Sequence, residues 1–166
     1  MKRINNKGFT LVEVIAVVVI IALLGMIAIP NVISTINKGK DTSYEILVED
    51  IKIAAKQLYE EVEYVGVVLK KYNKDGEITG EIEIDDNSIE TNLQTLVSNG
   101  FLIGANNPDR ENSGNKNYKI ITNPRNGEDI GECKIIIEKI VDKGNNLNTS
   151  YKVTNLSTDI NCPNDY

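Results

Sequence analysis

An α+β fold built on one long N-terminal helix is predicted by three features of the 166-residue sequence: an apolar opening run, an amphipathic continuation, and short alternating segments between turn signals. Residues 14–29, VIAVVVIIALLGMIAI, carry no charge, and counted from Phe9 the apolar run is 21 residues long, interrupted only by Thr10 and Glu13. As a helix it would measure about 31 Å, close to the hydrocarbon thickness of a bilayer. Its β-branched residues suit strands, but the run is too long for one strand, and in lipid a helix satisfies its own backbone.

Beyond Pro30 the pattern turns amphipathic. Ile36, Ile46, Ile51, Ala54, Ala55, Leu58 and Val62 recur broadly at helical spacing, with Asp41, Glu45, Glu49, Asp50, Lys52 and Lys56 between them. This second half of the helix is predicted to end between Glu63 and Lys71. Residues 77–84 alternate with period two behind an Asp75-Gly76 turn signal, which predicts a strand. Residues 88–98 read as a short helix, with Ser88 as its cap and Ile89, Leu93, Leu96 and Val97 on one face, stopped by Asn99-Gly100. Strands are expected at 117–122, 132–141 and 149–154, joined by turns over 123–130 and 143–146. Short strands in this order predict an antiparallel meander packed on the amphipathic half of the helix.

Charge divides the chain in the same place. Residues 1–8 hold Lys2, Arg3 and Lys7 with no acid, whereas residues from Pro30 onward hold 15 basic and 23 acidic side chains, a balance of -8. The basic leader would stay on the cytoplasmic side of a membrane. The acidic remainder gives no electrostatic reason to hold nucleic acid, and Lys70, Lys71 and Lys74 read as a solvated helix end. Histidine is absent, so no Ser-His or Cys-His nucleophile can be assembled. The pairs Asp85-Asp86 and Glu128-Asp129 lie in turn-like polar runs and read as solvated surface. A calcium loop around Asn73–Gly76 fails, because Lys71 and Ile82 fall at its first and twelfth positions. Asp159, Asn161, Asn164 and Asp165 are oxygen donors that match no ligand pattern. The expectation is a non-enzymatic chain with no catalytic, cofactor-binding or metal-binding residues. Cys133 and Cys162 fit an exported domain with one optional disulfide.

Glu13 needs an explanation. A carboxylate within an apolar span costs on the order of 2.5–3.5 kcal/mol at mid-helix, less near the interface. A plain membrane anchor has no use for it. An ordinary secretory signal would be cut beyond the apolar region, where Val32-Ile33-Ser34 offers only a poor site. Pro30 lacks an amide hydrogen and Gly25 is a weak helix former, so the helix is expected to break at these two positions, as a kink or as a section able to unwind.

The order of these parts, KG/FTLVEVIAVVVIIALLGMIAIP over residues 7–30, resembles the class III signal of type IV prepilins and type II secretion pseudopilins. The resemblance implies a pilin fold and a prepilin peptidase that cuts between Gly8 and Phe9 and methylates the amine of Phe9. It implies that Phe9 and Glu13 serve subunit assembly, the Glu13 carboxylate meeting the N-terminal amine of a neighbouring copy. Three regions follow: a cytoplasmic leader over 1–8, a transmembrane and assembly helix over 9–29, and an exported head over 30–166. Many type IV pilins tie the C-terminal region to the sheet by one disulfide, and the placement of Cys133 and Cys162 resembles that staple. LVSNGFL (96–102) with Pro108-Asp109 loosely resembles the segment leading into the sheet of pseudopilins. The implied partners are further pilin subunits, the peptidase-methyltransferase, a pilus assembly platform, and the membrane before assembly, with no nucleic acid. The implied location is the cytoplasmic membrane as a single-pass precursor and the cell surface as a pilus. A type II secretion or competence pseudopilin shares this N-terminus, and a membrane-anchored binding domain that never polymerises is the alternative from another class.

Overall fold

A computed structural model of the chain describes residues 8–106, 119–141 and 149–164, with the side chain of Ile27 excepted. Helix α1 runs from Leu11 to Glu60 and contains Pro30. A π-helical turn, Glu61–Val65, follows it, and Gly66 ends the helical path by taking a left-handed φ of 68°. That end falls within the predicted interval. The chain separates into two compact units, one reaching Lys40 and one beginning at Asp41. In the first unit the described large apolar side chains of α1, which leave out Ile27, are exposed from Leu11 to Ile36.

The second unit holds the core. From α1 it takes Tyr44, Val48, Ile51, Ala54, Ala55, Leu58 and Tyr59, all buried. These recur at intervals of three and four, which is one face of a helix. Ile46 lies between Tyr44 and Val48 and therefore on the opposite face, where it is 57% exposed. The predicted stripe is corrected there, and also at Ile36, which is exposed.

Among the described residues three antiparallel sheets complete the unit, an α+β arrangement as predicted. Strands β1 (Lys70–Tyr72) and β2 (Ile78–Glu81) form a hairpin. Its turn is where Asp75-Gly76 predicts it: Gly76 has φ 75°, and the Asn73 carboxamide oxygen accepts from the backbone N–H of Asp75 and of Glu77. The main sheet has the order β3-β6-β7, made of Ser88–Asn92, Lys134–Val141 and Thr149–Asn155. Its register aligns Ile89 with Ile137 and Ile137 with Val153, and all three are buried. These cross-strand neighbours belong to the same apolar cluster as Ile51, Leu58 and Tyr59 of α1. The Tyr59 and Tyr151 rings meet at 5.3 Å between centroids, tilted by 57°. Strands β4 (Ala105–Asn106) and β5 (Lys119–Ile120) form the third sheet.

The expected helix over 88–98 is a correction. Residues 88–92 are strand β3, and only Leu93–Ser98 form a helix, α2. Asn92 caps it, its side chain accepting from the Thr95 N–H at 2.9 Å, so the helix starts four residues later than a Ser88 cap would place it. Ser88 instead closes a tight turn through Asp86 and Asn87, whose φ values are 43° and 62°. Its N–H donates to the Asp85 carbonyl at 2.7 Å. Asp and Asn tolerate this region better than most residues. The single predicted meander is likewise replaced by three sheets, because β1 and β4 pair locally with β2 and β5 and leave the β3-β6-β7 sheet to itself. In the strand expected at 117–122, residues 117–118 lie outside the described residues, as do the 143–146 turn and Pro108-Asp109.

One glycine fixes the approach of β4 to α2. A Cβ on Gly104 would stand 2.6 Å from Val97 Cγ1 and 2.9 Å from the Ile120 carbonyl oxygen. Gly104→Ala is expected to destabilise the fold by about 1–3 kcal/mol, seen as a lower thermal midpoint of the detergent-solubilised chain. An unchanged midpoint would refute the tight fit.

Candidate assembly site at the N-terminus

Gly8, Phe9 and Thr10 precede α1 without helical structure, and the Phe9 side chain is 84% exposed. Gly8 has open space where a side chain would begin. Thr10 is the cap of α1, and Glu13 stands three residues on. The Glu13 carboxylate oxygen Oε2 accepts from the Thr10 N–H at 2.8 Å and from the Thr10 hydroxyl at 2.8 Å. The Glu13 N–H donates back to the Thr10 hydroxyl oxygen at 3.3 Å. This reciprocal pair is a capping box, which satisfies amides that the first helical turn leaves without partners. The acid also favours the positive end of the helix dipole. Both hydrogen bonds to the carboxylate fall on the same oxygen.

Thr10 enters the sequence reading only as an interruption of an apolar run, and its role at the site comes from the structure. A signal for it exists, since Thr-x-x-Glu ahead of an apolar stretch is a helix-start pattern. Behind this end, α1 is long and apolar enough to cross a membrane, and none of the described residues in its most apolar window is buried. The helix runs through Gly25 and Pro30 as a single element. At Pro30 the missing amide removes one hydrogen bond, to the Met26 carbonyl, without ending the helix.

In the second unit, Cys133 and Cys162 are joined in a disulfide with Cα atoms 5.6 Å apart, both buried. It fastens the C-terminal loop beside the start of β6. The oxygen donors of that loop serve its own folding. Asn161 accepts from Asn123 Nδ2 through its carbonyl and from Asn126 Nδ2 through its side chain, at 2.9 and 2.7 Å. The Asp159 carboxylate accepts from the Asn161 N–H, and Asn164 Oδ1 accepts from Asn155 Nδ2. Asp165 lies outside the described residues. Among the described residues no cluster of three His, Cys, Asp or Glu side chains is placed to hold a metal.

Where α1 ends, Lys139 donates to the Glu63 carboxylate and to the Tyr64 hydroxyl. The hydrogen bond to Glu63 is the main reason the Lys139 ammonium is held charged beyond its usual range. Burial, followed by the charge of Glu60, pushes the Tyr151 hydroxyl up to about 12. Arg125, on the loop ahead of β6, pairs with Asp41 at 2.8 Å and lies 3.8 Å from the centroid of the Tyr44 ring.

Comparison with known proteins bears on the same end of the chain. A family model described as a prokaryotic N-terminal methylation motif matches residues 3–29. The type IV wide pilus major component PilA4 of Thermus thermophilus is 28% identical over 97 residues. That alignment covers 58% of this chain and 56% of the relative, so the chain spans about half the length of the curated relative it matches. No solved structure matches. The chain is thus similar to a methylation-motif family over residues 3–29 and to a type IV pilus component over 97 residues, on a long apolar helix with an α+β unit closed by a disulfide.

Proposed function

We propose that the chain is the structural subunit of a type IV pilus, made as a membrane-anchored precursor and polymerised into a filament. The single observation that carries this reading is the charged start of an otherwise apolar, exposed helix, with Glu13 held at Thr10. On this reading prepilin peptidase cuts after Gly8, removes residues 1–8 and methylates Phe9. Residues 9–29 anchor the precursor and later pack against their counterparts, while residues 30–166 form the exported head. Thr10 occupies Glu13 Oε2, and Oε1 is the oxygen that would receive the amine of an incoming subunit. Opposite charges in a low-dielectric core attract strongly, and either one alone is costly, so the pair would set the register of addition. Apolar area does not drive extraction from the bilayer, because lipid is as apolar as the filament core; packing, the charge pair and an assembly platform supply the difference. The relative named as a wide pilus major component supports a pilus over a secretion piston. The disulfide supports export to an oxidising compartment.

The test is peptide sequencing with mass spectrometry of the mature chain. A first residue of N-methylated Phe9 is expected. A mature protein that keeps Met1 would overturn the reading.

A further inference from the structure

We propose that the heads contact one another through a knob and a groove on different faces, the knob being Ile160 and the groove lying between α1 and β7 around Ile53. The proposal rests on the filament reading above and names the contact that such a filament would use.

The knob is an isoleucine at the tip of the C-terminal loop, 92% exposed. Its loop is held at three points: the Cys133–Cys162 disulfide, the Asp159–Asn161 turn bond, and the two asparagine contacts of Asn161. A large apolar side chain on a restrained loop loses little further freedom on binding, which is the condition that favours an anchor residue.

The groove has a volume of about 460 Å³ and is lined by Glu49, Lys52, Ile53, Lys56, Tyr151 and Lys152 among others. Ile53 is 49% exposed there, on the side of α1 turned away from the core. The lysine stems offer apolar walls while their ammonium groups stay in water. Those ammonium groups pair with Glu49, Glu60 and Glu138 at 3.6, 3.8 and 3.8 Å, all on well-exposed side chains. Such pairs are weakly held and can be redirected.

Charge decides the occupant. The region from Pro30 onward carries a balance of -8, so two heads repel at long range. The groove's lining holds three lysines to one acid, Glu49, so an approaching acidic loop meets a local excess of positive charge there once the exposed pairs to Glu60 and Glu138 are redirected. Ile160 carries Asp159 beside it, so a second copy of this chain presents an apolar tip and a negative charge together. The two features also lie at different heights along α1. The loop of Ile160 is linked through Asn123 and Asn126 to the turn bearing Arg125, which packs on Asp41 and Tyr44. Ile53 is nine residues past Tyr44, about 14 Å along a helix. A neighbour shifted by about that distance would bring its Ile160 level with this groove. Unlike patches joined with a displacement can repeat without closing, which is the geometry of a filament.

The experiment uses the full chain in cells that assemble it. Ile53→Cys and Ile160→Cys are made singly and together, filaments are sheared and oxidised, and peptide mapping verifies the native disulfide. The double variant is expected to give a ladder of linked subunits on a non-reducing gel. The two single variants co-expressed should give dimers only, and each alone should stay monomeric. Intact filaments without a ladder, or self-linking by Ile160→Cys alone, would overturn the contact while leaving the filament reading standing. Absence of filaments from the unaltered chain counts against the filament reading itself. As an independent arm, Ile160→Asp is expected to lower filament yield about tenfold or more without moving the thermal midpoint. Normal yield from that variant would also refute the contact.

Discussion

Glu13→Ala is expected to leave a chain that is cut and methylated normally but enters filaments at roughly a hundredth of the unaltered rate or less. In the proposed precursor the peptidase would read Gly8 and Phe9, which the substitution leaves in place. Assembly differs, because in the proposed filament the amine of one subunit would be buried without its carboxylate. Breaking a buried pair by removing one partner costs on the order of 3–5 kcal/mol, and each 1.4 kcal/mol is tenfold in an equilibrium. Alanine also deletes the capping box seen between Thr10 and Glu13, so a second variant is needed to separate the two effects. Glu13→Gln keeps a side chain that can accept from the Thr10 N–H but carries no charge. It is expected to assemble as poorly as alanine while restoring the start of the helix. Filaments at the normal level from the glutamine variant would show that capping, not charge pairing, is the work of this residue.

Cys162→Ser is expected to cost the head about 3–4 kcal/mol in the chain-entropy account, for a loop whose ends are 29 residues apart. Ordinary domains have about 5–15 kcal/mol in total, so the loss is a large share. In a unit of this size it should appear as a fall of roughly 10–20 °C in thermal midpoint, measured on the detergent-solubilised chain. The same fall is expected when the unaltered protein is reduced, and the serine variant should then show no further response to reductant. A midpoint unmoved by both treatments would mean that the asparagine contacts alone hold the C-terminal loop.

Long, strongly periodic segments are legible in the amino-acid sequence. Helix α1, the Asp75-Gly76 turn, β6 and β7 fall where the pattern of apolar residues places them. The departure at 88–98 has a definite cause. Ile89, Leu93, Leu96 and Val97 fit a helical face, yet Ile89 and Thr91 also fit a strand, and the pairing of β3 with β6 selects the second pattern over its first half. Strands of two or three residues, such as β1 and β4, have no periodicity to detect and exist because a partner strand reaches them. Asn92 illustrates this: besides capping α2, its side-chain amide donates to the Tyr72 carbonyl and ties β1 in place. At the N-terminus, Gly8, Phe9 and Glu13 are legible as residue types in order. The Thr10 contact depends on a helix start at Leu11, which hydrophobicity alone does not locate.

Arg125 has a consequence for the surroundings in which the head works. Its guanidinium is fastened in two ways, by an ion pair to Asp41 and by stacking on Tyr44. Dissolved salt shortens the reach of charge from about 10 Å at 0.1 M to about 3 Å at 1 M, and the exposed ion pair weakens accordingly. The stacked contact keeps the dispersion and packing share of its attraction, which salt does not screen. A loop fastened in both ways stays on its helix as the medium passes from fresh water to brine. A lysine at this position, a compact charge with no plane to lay on the ring, would lose its hold along that gradient.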